Sequence, residues 1–299
     1  MTKKNTFQLS EVRLEKALVP FVSAGIATQG SEHIKPVHWY LAVRLVLEGG
    51  FAPEDITPTP PLVVRGSGRQ KKLTYSAPAR KDAELAVIGG LKSKKIDVVV
   101  TKPGVGPVLA ISVKGTKKAF RNLTNRMEEA IGDSTNLHIM YPGLVYGFFH
   151  VLQANQAGTP RLMKSDTSVD LQGNVVKAVR RYHDVLANLA GRRLVRDDYT
   201  RYEAVGFALV QKTAEGSSIL SGFPEPGSPL APEKFFQTLY QIYDLRYPYM
   251  SNRQGLARHA WSSDSPVFAG LPDEEARFSR FGYSPRIGVS DEVEDESED

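Results

Sequence analysis

The sequence predicts a mixed α/β protein in which a central mixed β-sheet is flanked by helices. Two runs rich in β-branched and aliphatic residues, 96–100 and 108–114, are joined by seven residues with the glycines and prolines of a tight turn, which predicts antiparallel strands. Segments with apolar residues at three- and four-residue spacing surround these runs and predict helices. With 299 residues and 41% hydrophobic content, the chain can bury a large core.

The N-terminal part is predicted to be helical. Apolar residues recur at helical spacing over 9–26 and again over 37–48. The second segment follows Pro36 and ends at Gly49, which are typical start and stop signals. We expect both helices to pack on the sheet.

A proline-rich stretch at 53–61 leads into a short predicted strand at 62–65. The basic loop at 65–72 has the glycine and cation content of a phosphate-contacting segment, and a solvated hairpin tip has the same composition. Both interpretations stay open. Residues 79–91 are predicted to form a helix that ends at two glycines.

The strand at 108–114 is predicted to present Lys114 on the face opposite Leu109, Ile111 and Val113, because side chains alternate along a strand. A basic amphipathic helix that begins near Lys117 is predicted next. An apolar strand at 137–141 is expected to follow that helix.

Further along the chain, segments 144–153 and 175–189 are predicted to be helices, and 202–212 a strand. Residues 235–243 are predicted to form a helix. From residue 251 onward the periodicity disappears, which predicts an irregular extension.

The composition excludes several classes of site. The chain has no cysteine, so zinc fingers and cysteine nucleophiles are excluded and any metal must be bound by oxygen or histidine. The polar N-terminus and the lack of a long apolar run predict a cytoplasmic protein with no membrane partner.

The charge distribution favours a polyanionic partner. The formal net charge is +5, although residues 291–299 alone contain seven acidic side chains, so the rest of the chain is more basic than the total indicates. The acidic tail is either a disordered solubilising end or a competitor with DNA for the basic surface.

Asp97 and Lys114 are the first candidates for chemistry. Asp97 lies in one strand of the predicted hairpin, and Lys114 ends the other. Hard divalent cations prefer carboxylate oxygens, and a nearby lysine can orient or deprotonate an attacking water. This pair is typical of metal-dependent phosphodiester hydrolysis.

Asp97, the hairpin and Ser112-Val113-Lys114 resemble the PD-(D/E)XK restriction-endonuclease core, in which an acidic residue usually stands at the position of Ser112. One branch of that superfamily has a small residue there and carries the carboxylate on the following helix. Glu128, fourteen positions after Lys114, stands at the corresponding place. The resemblance covers mainly residues 80–142.

Helical geometry agrees with that placement. Arg121, Asn125 and Glu128 share a polar face beside the apolar stripe of the predicted helix. In the resembled branch an arginine in this segment reads guanine, and Arg121 stands at a matching position. Phe120 departs from the acidic base reader of that branch, so the recognised DNA sequence is not carried over.

Three other residues compete for or complete the site. Glu129 is rotated by about 100° from Glu128, so only one of the two can face the site, and we favour Glu128. Glu84, on the helix predicted before Asp97, resembles an upstream acidic residue of the superfamily and is either a second metal ligand or an exposed helix side chain. Ser112 is expected to line the site.

We therefore expect a Mg²⁺-dependent endonuclease that acts on double-stranded DNA, with Asp97 and Glu128 binding metal and Lys114 orienting water. A homodimer is expected because two strands are cut, and a restriction role implies a cognate DNA methyltransferase. A repair nuclease that recognises DNA structure and a non-catalytic DNA-binding protein remain alternatives. The expected DNA contacts are Lys117, Lys118, Arg121, Asn125, Arg65, Arg69, Lys71 and Lys72.

The predicted division places an N-terminal helical part at 1–54 and the restriction-endonuclease-like nuclease core at 55–165. A helix and strand part at 166–250 is expected to pack on this core. The irregular extension with its acidic tail occupies 251–299.

Overall fold

The computed structural model describes residues 7–23, 32–66, 72–118, 123–250, 270–271 and 274–286, without the side chains of Lys72 and Glu274. The strands are β1 (Ile56–Thr57), β2 (Leu62–Arg65), β3 (Lys72–Tyr75), β4 (Leu85–Ile88), β5 (Ser93–Ile96), β6 (Val98–Lys102), β7 (Gly106–Thr116), β8 (Val145–Gln153), β9 (Ala204–Thr213) and β10 (Gly216–Ile219). The helices are α1 (Leu9–Val12), α2 (Leu14–Ala17), α3 (Val19–Val22), α4 (Lys35–Leu47), α5 (Leu123–Met140), α6 (Lys177–Asn188), α7 (Pro232–Arg246) and α8 (Glu274–Phe281).

The chain is a mixed α/β protein, as the sequence predicts. Its main sheet has the strand order β1-β6-β7-β8-β9-β10. The pairs β7–β8 and β8–β9 are parallel, and the other pairs in this sheet are antiparallel. Helices α5 and α6 provide the two crossovers that parallel pairing requires. Hairpins β2–β3 and β4–β5 form separate two-stranded sheets.

Each face of the main sheet is covered by helices. Val98, Val100 and Ile111 belong to an apolar core shared with α1 to α4 and α7. Val99 and Ala110 point the other way, into a second core that is shared with α5 and α6. The alternation of side chains along β6 and β7 therefore divides the interior into two layers. Among the described residues, no helix is long and apolar enough to cross a membrane.

The segment 144–153, predicted to be a helix, is instead the central strand β8, and this prediction was wrong. Val145 and Phe149 pack in the first core, whereas Tyr146 and Phe148 pack in the second. A strand buried on both faces is apolar at every position, so it lacks the alternation that identifies a strand. The strand predicted at 137–141 was also wrong, because residues up to Met140 belong to α5.

The helix predicted over 79–91 was wrong as well. This segment contains a 3₁₀ turn at Ala77–Ala79 and the strand β4, which pairs with β5. Val87 is buried and its neighbours Ala86 and Ile88 are exposed, which is the period of a strand. Gly89 lies in the hairpin turn, where an added Cβ would displace the side-chain amide of Asn136.

Several other predicted elements agree with the structure. Helices α4, α6 and α7, strands β2 and β9, and the hairpin between β6 and β7 lie where the sequence places them. The predicted N-terminal helix is three short helical segments, α1 to α3, in place of one continuous helix. Part of the C-terminal extension is ordered, since α8 brings Phe278 and Tyr283 into the first core. The acidic tail lies outside the described residues.

A buried charged network connects Glu203 with four other parts of the chain: the segment after α6, α7, β8 and α5. Oε1 of Glu203 lies 2.6 Å from Nη1 of Arg192 and 2.6 Å from Nη1 of Arg246. Oε2 accepts the backbone N–H of Tyr146 at 2.7 Å and lies 3.4 Å from Nε2 of His138. Burial alone would raise the pKa of Glu203, but His138, Arg246 and the Tyr146 N–H outweigh it and hold this pKa below its ordinary value.

We expect Glu203→Ala to destabilise the chain by about 3–5 kcal/mol, because two buried arginines lose their shared carboxylate. Glu225→Ala is the matched control, since Glu225 forms an exposed ion pair with Arg180 and its loss should cost less than about 1 kcal/mol. Urea unfolding followed by circular dichroism measures both changes. Equal losses of stability in the two variants would contradict the assignment.

Candidate functional site

The candidate site begins where β6 and β7 separate. Their pairing ends at Val98 opposite Ile111, and Asp97 forms a bend between β5 and β6. Beyond this point the chain of β5 pairs with β4, so Val113 is paired with no described strand on that side. The Oδ2 atom of Asp97 accepts the Val113 N–H at 2.7 Å. The carboxylate thus satisfies a backbone donor that the separation would leave unpaired.

Lys114 follows Val113 and points to the opposite face of β7, toward α5. Its Nζ atom lies 3.1 Å from Oε1 of Glu129, and the side chain keeps 31% of its surface exposed. Oε2 of the same carboxylate accepts a hydrogen bond from Nη1 of Arg126 at 3.1 Å. A line of contacts therefore runs from Asp97 through the Val113–Lys114 peptide to Glu129.

The structure places Glu129 against Lys114, and not the favoured Glu128, so the expectation that Glu128 faces this lysine was wrong. Which of the two binds a metal stays a prediction. The flank of α5 that carries Glu129 also carries Asp133, whose Oδ2 lies 2.5 Å from Nζ of Lys94 on β5. Asn136, one turn further along, binds the β4–β5 turn through its side-chain amide. Glu128 is rotated away from this flank and is exposed.

Glu129 is ionised at neutral pH. Burial raises the pKa of Glu129, but the charges and hydrogen bonds of Lys114 and Arg126 lower it, and the resulting pKa is below the ordinary value of 4.5. With 37% of its side chain exposed, this carboxylate is accessible to a solvated ion.

His38, on α4, contacts Asp97 from the other layer of the protein. Its Nε2 atom lies 3.5 Å from Oδ1 of Asp97, and only 6% of the side chain is exposed. This nitrogen has no hydrogen-bond partner within the described ranges. Burial lowers the pKa of His38, with partial opposition from the charge of Asp97, so the imidazole is neutral at pH 7.

Two other predicted site residues lie apart from this line of contacts. Ser112 is buried, and its hydroxyl forms a 2.7 Å hydrogen bond with Tyr146, so it does not line an open site as expected. Glu84 precedes β4 in an irregular segment and is not on a helix. Its carboxylate lies 3.5 Å from Nζ of Lys95 at an exposed position.

Some of the residues predicted to contact DNA are exposed in the structure. Lys118 and Asn125 are exposed, and Arg65 is exposed at the end of β2. Lys117 is half-buried, with Nζ 5.6 Å from the centre of the Phe21 ring, and burial lowers its pKa. The side chain of Lys72 is not described, and Arg69, Lys71 and Arg121 lie outside the described residues.

The donor chemistry of the site fits a hard divalent cation. Asp97 and Glu129 offer carboxylate oxygens, the ligands such ions prefer, and Oδ1 of Asp97 accepts no backbone hydrogen bond from the described residues. The described part of the chain holds no cluster of three or more metal-ligating side chains. Protein ligands would therefore be few, and water or substrate oxygens would complete the coordination.

Sequence reasoning missed His38 and Asp133 at this site. No pattern in the sequence indicates His38, because its spacing from the other histidines matches no metal motif and it lies far from Asp97 along the chain. Asp133 stands four residues after Glu129, a spacing that places both on one helix flank. That spacing was the available signal for choosing Glu129.

Comparisons with known proteins assign no relative to this chain: no family model, curated protein or solved structure matches it.

We expect Asp97→Ala to destabilise the chain by about 1–3 kcal/mol, because the Val113 N–H loses its acceptor at a partly buried position. Asp97→Asn should cost less, since the amide oxygen still accepts this hydrogen bond. Chemical denaturation of the two variants and the unmodified chain gives the comparison. Equal destabilisation by both substitutions would show that the hydrogen bond does not hold the strand separation.

Proposed function

We propose that the chain is a Mg²⁺-dependent endodeoxyribonuclease with a restriction-endonuclease-like core. One pair of contacts carries the proposal. Lys114 contacts Glu129, and the residue before it, Val113, donates the backbone hydrogen bond that holds Asp97. A carboxylate at the separation of two strands and a lysine–carboxylate pair at the next residue of β7 are thus linked through the backbone of that strand. This is the set of groups that metal-assisted phosphodiester hydrolysis requires.

Asp97 and Glu129 are the side chains that would bind the metal. A bound Mg²⁺ would supply neutralisation of the charge that develops on the phosphate and would lower the pKa of a coordinated water. Both carboxylates belong to regular elements or their ends, one held by the Val113 N–H and the other by α5. Because both carboxylates are held in place, their side chains need little rearrangement when a cation binds.

Lys114 is the group that would orient the attacking water. Its ammonium already lies within hydrogen-bond distance of Glu129, a proposed metal ligand. A water beside this pair would donate a hydrogen bond to the carboxylate and accept one from the ammonium. Arg126 binds the second oxygen of Glu129 and keeps that carboxylate in place.

Exposed polar side chains support DNA as the substrate. They include the cations Lys118, before α5, and Arg65, at the end of β2, and the amide of Asn125 in the first turn of α5. The chain is basic overall despite its acidic tail, which favours long-range attraction of a polyanion. A homodimer, a restriction role and a cognate methyltransferase remain part of this proposal, since a symmetric DNA site is cut by two symmetric copies.

A non-catalytic DNA-binding protein is the second candidate. Ser112 stands where the resembled core usually has an acid, and its hydroxyl is buried against Tyr146. The carboxylate of Asp97 has a structural role that does not require a metal. This candidate predicts DNA affinity without cleavage.

The test is incubation of long unmethylated DNA with the chain in Mg²⁺. We expect Asp97→Asn, Lys114→Ala and Glu129→Gln each to lower the cleavage rate by about 10²–10⁴-fold, because each removes a metal ligand or the group that orients water. Discrete fragments would indicate sequence recognition, and branched-substrate preference would indicate a repair nuclease.

Glu128→Gln is the matched control, since it makes the same chemical change one residue away at an exposed position. Its cleavage rate should stay within about twofold of the unmodified chain. DNA binding without cleavage over a broad panel of substrates and divalent cations would support the non-catalytic candidate. Cleavage that survives Glu129→Gln and fails with Glu128→Gln would overturn the ligand assignment.

A further inference from the structure

The buried imidazole of His38 has a nitrogen that the described protein leaves without a hydrogen bond. Nε2 points at Oδ1 of Asp97 across 3.5 Å, and the geometry between them is not that of a hydrogen bond. Oδ2 of the same carboxylate is already used by the Val113 N–H. A buried polar atom without a partner is costly, so a missing third group is expected between or beside these two atoms.

The separation of these atoms fits two ligands of one metal ion. For bonds of about 2.1 Å, ligands at a tetrahedral angle lie about 3.4 Å apart and ligands at a right angle about 3.0 Å apart. The observed 3.5 Å between Nε2 and Oδ1 is close to the first value. Small adjustments of the two side chains would shorten their separation to the value for a right angle.

We propose that His38 Nε2 and Asp97 Oδ1 bind one divalent cation together, and that this imidazole makes the site favour a transition metal such as Co²⁺ over Mg²⁺. The inference rests on the proposed function for the metal-binding role of Asp97, and it concerns only the pair His38 and Asp97, because the described residues contain no group of three metal-ligating side chains. Imidazole suits transition metals, whereas Mg²⁺ prefers an all-oxygen shell with several waters.

The surroundings of His38 suit a fixed ligand. Its neighbours on α4, Val37 and Leu41, are fully buried in the first core, which restrains the imidazole. Asp97 keeps 24% of its side chain exposed, so an ion can approach from its side. Water or phosphate oxygens would complete the shell at that opening.

The test is calorimetric titration of the metal-free chain with Co²⁺ and with Mg²⁺, in the absence of DNA. We expect Co²⁺ to bind more tightly than Mg²⁺, and His38→Asn to weaken Co²⁺ binding by about tenfold or more while Mg²⁺ binding changes by less than about threefold. Asp97→Asn should weaken both ions. The visible absorption of bound Co²⁺ should change between the unmodified chain and His38→Asn.

His183→Asn is the matched control, because His183 is a partly buried histidine on α6 that forms a hydrogen bond with Ser228. Its Co²⁺ affinity should equal that of the unmodified chain. Equal Co²⁺ affinity in His38→Asn and the unmodified chain would overturn the inference and leave a simple contact between imidazole and carboxylate. If circular dichroism shows that the variants are unfolded, the unmodified chain alone gives the test. Binding of Co²⁺ by this chain that is no tighter than binding of Mg²⁺ would overturn the inference.

Cleavage assays separate this inference from the proposed function. Co²⁺ binding that depends on His38, in a chain that cuts no DNA, would support the metal assignment and contradict the nuclease. Mg²⁺-dependent cleavage with Co²⁺ binding independent of His38 would support the nuclease and contradict the role of His38.

Discussion

The backbone N–H of Val113 loses its strand partner where β6 leaves β7, and the Asp97 carboxylate accepts the hydrogen bond in its place. Without that acceptor, the separation would leave an unpaired donor at a partly buried position. The same contact fixes one oxygen of Asp97 and turns the other toward His38. One hydrogen bond therefore both permits the strands to part and orients the carboxylate on which the proposed chemistry depends.

The two helical layers meet at this point. From the first layer, α4 presents His38 to Asp97, and from the second, α5 presents Glu129 to Lys114. The position and rotation of α5 are set by contacts away from the site. Asn136 binds the β4–β5 turn, and the buried Glu203 network includes His138 near the C-terminal end of the helix. These contacts determine which flank of α5 faces Lys114.

Local patterns in the sequence predicted much of this arrangement. The alternation along β7 placed Lys114 on the correct face, and the hairpin before it was evident from its glycines and prolines. β8 was missed because burial on both faces removes alternation, and β4 was missed because four residues carry too little period to exclude a helix. Tertiary contacts decided between Glu128 and Glu129, and the pairing of His38 with Asp97 depends on the packing of α4.

The most direct test of the proposed metal ligand is cleavage by Glu129→Cys, since the chain has no other cysteine. A thiolate binds soft cations in preference to Mg²⁺, so we expect little cleavage in Mg²⁺ and recovery when Cd²⁺ is added. Glu128→Cys, one residue away, should cut DNA in Mg²⁺ and gain nothing from Cd²⁺. Full activity of Glu129→Cys in Mg²⁺ alone would contradict the account.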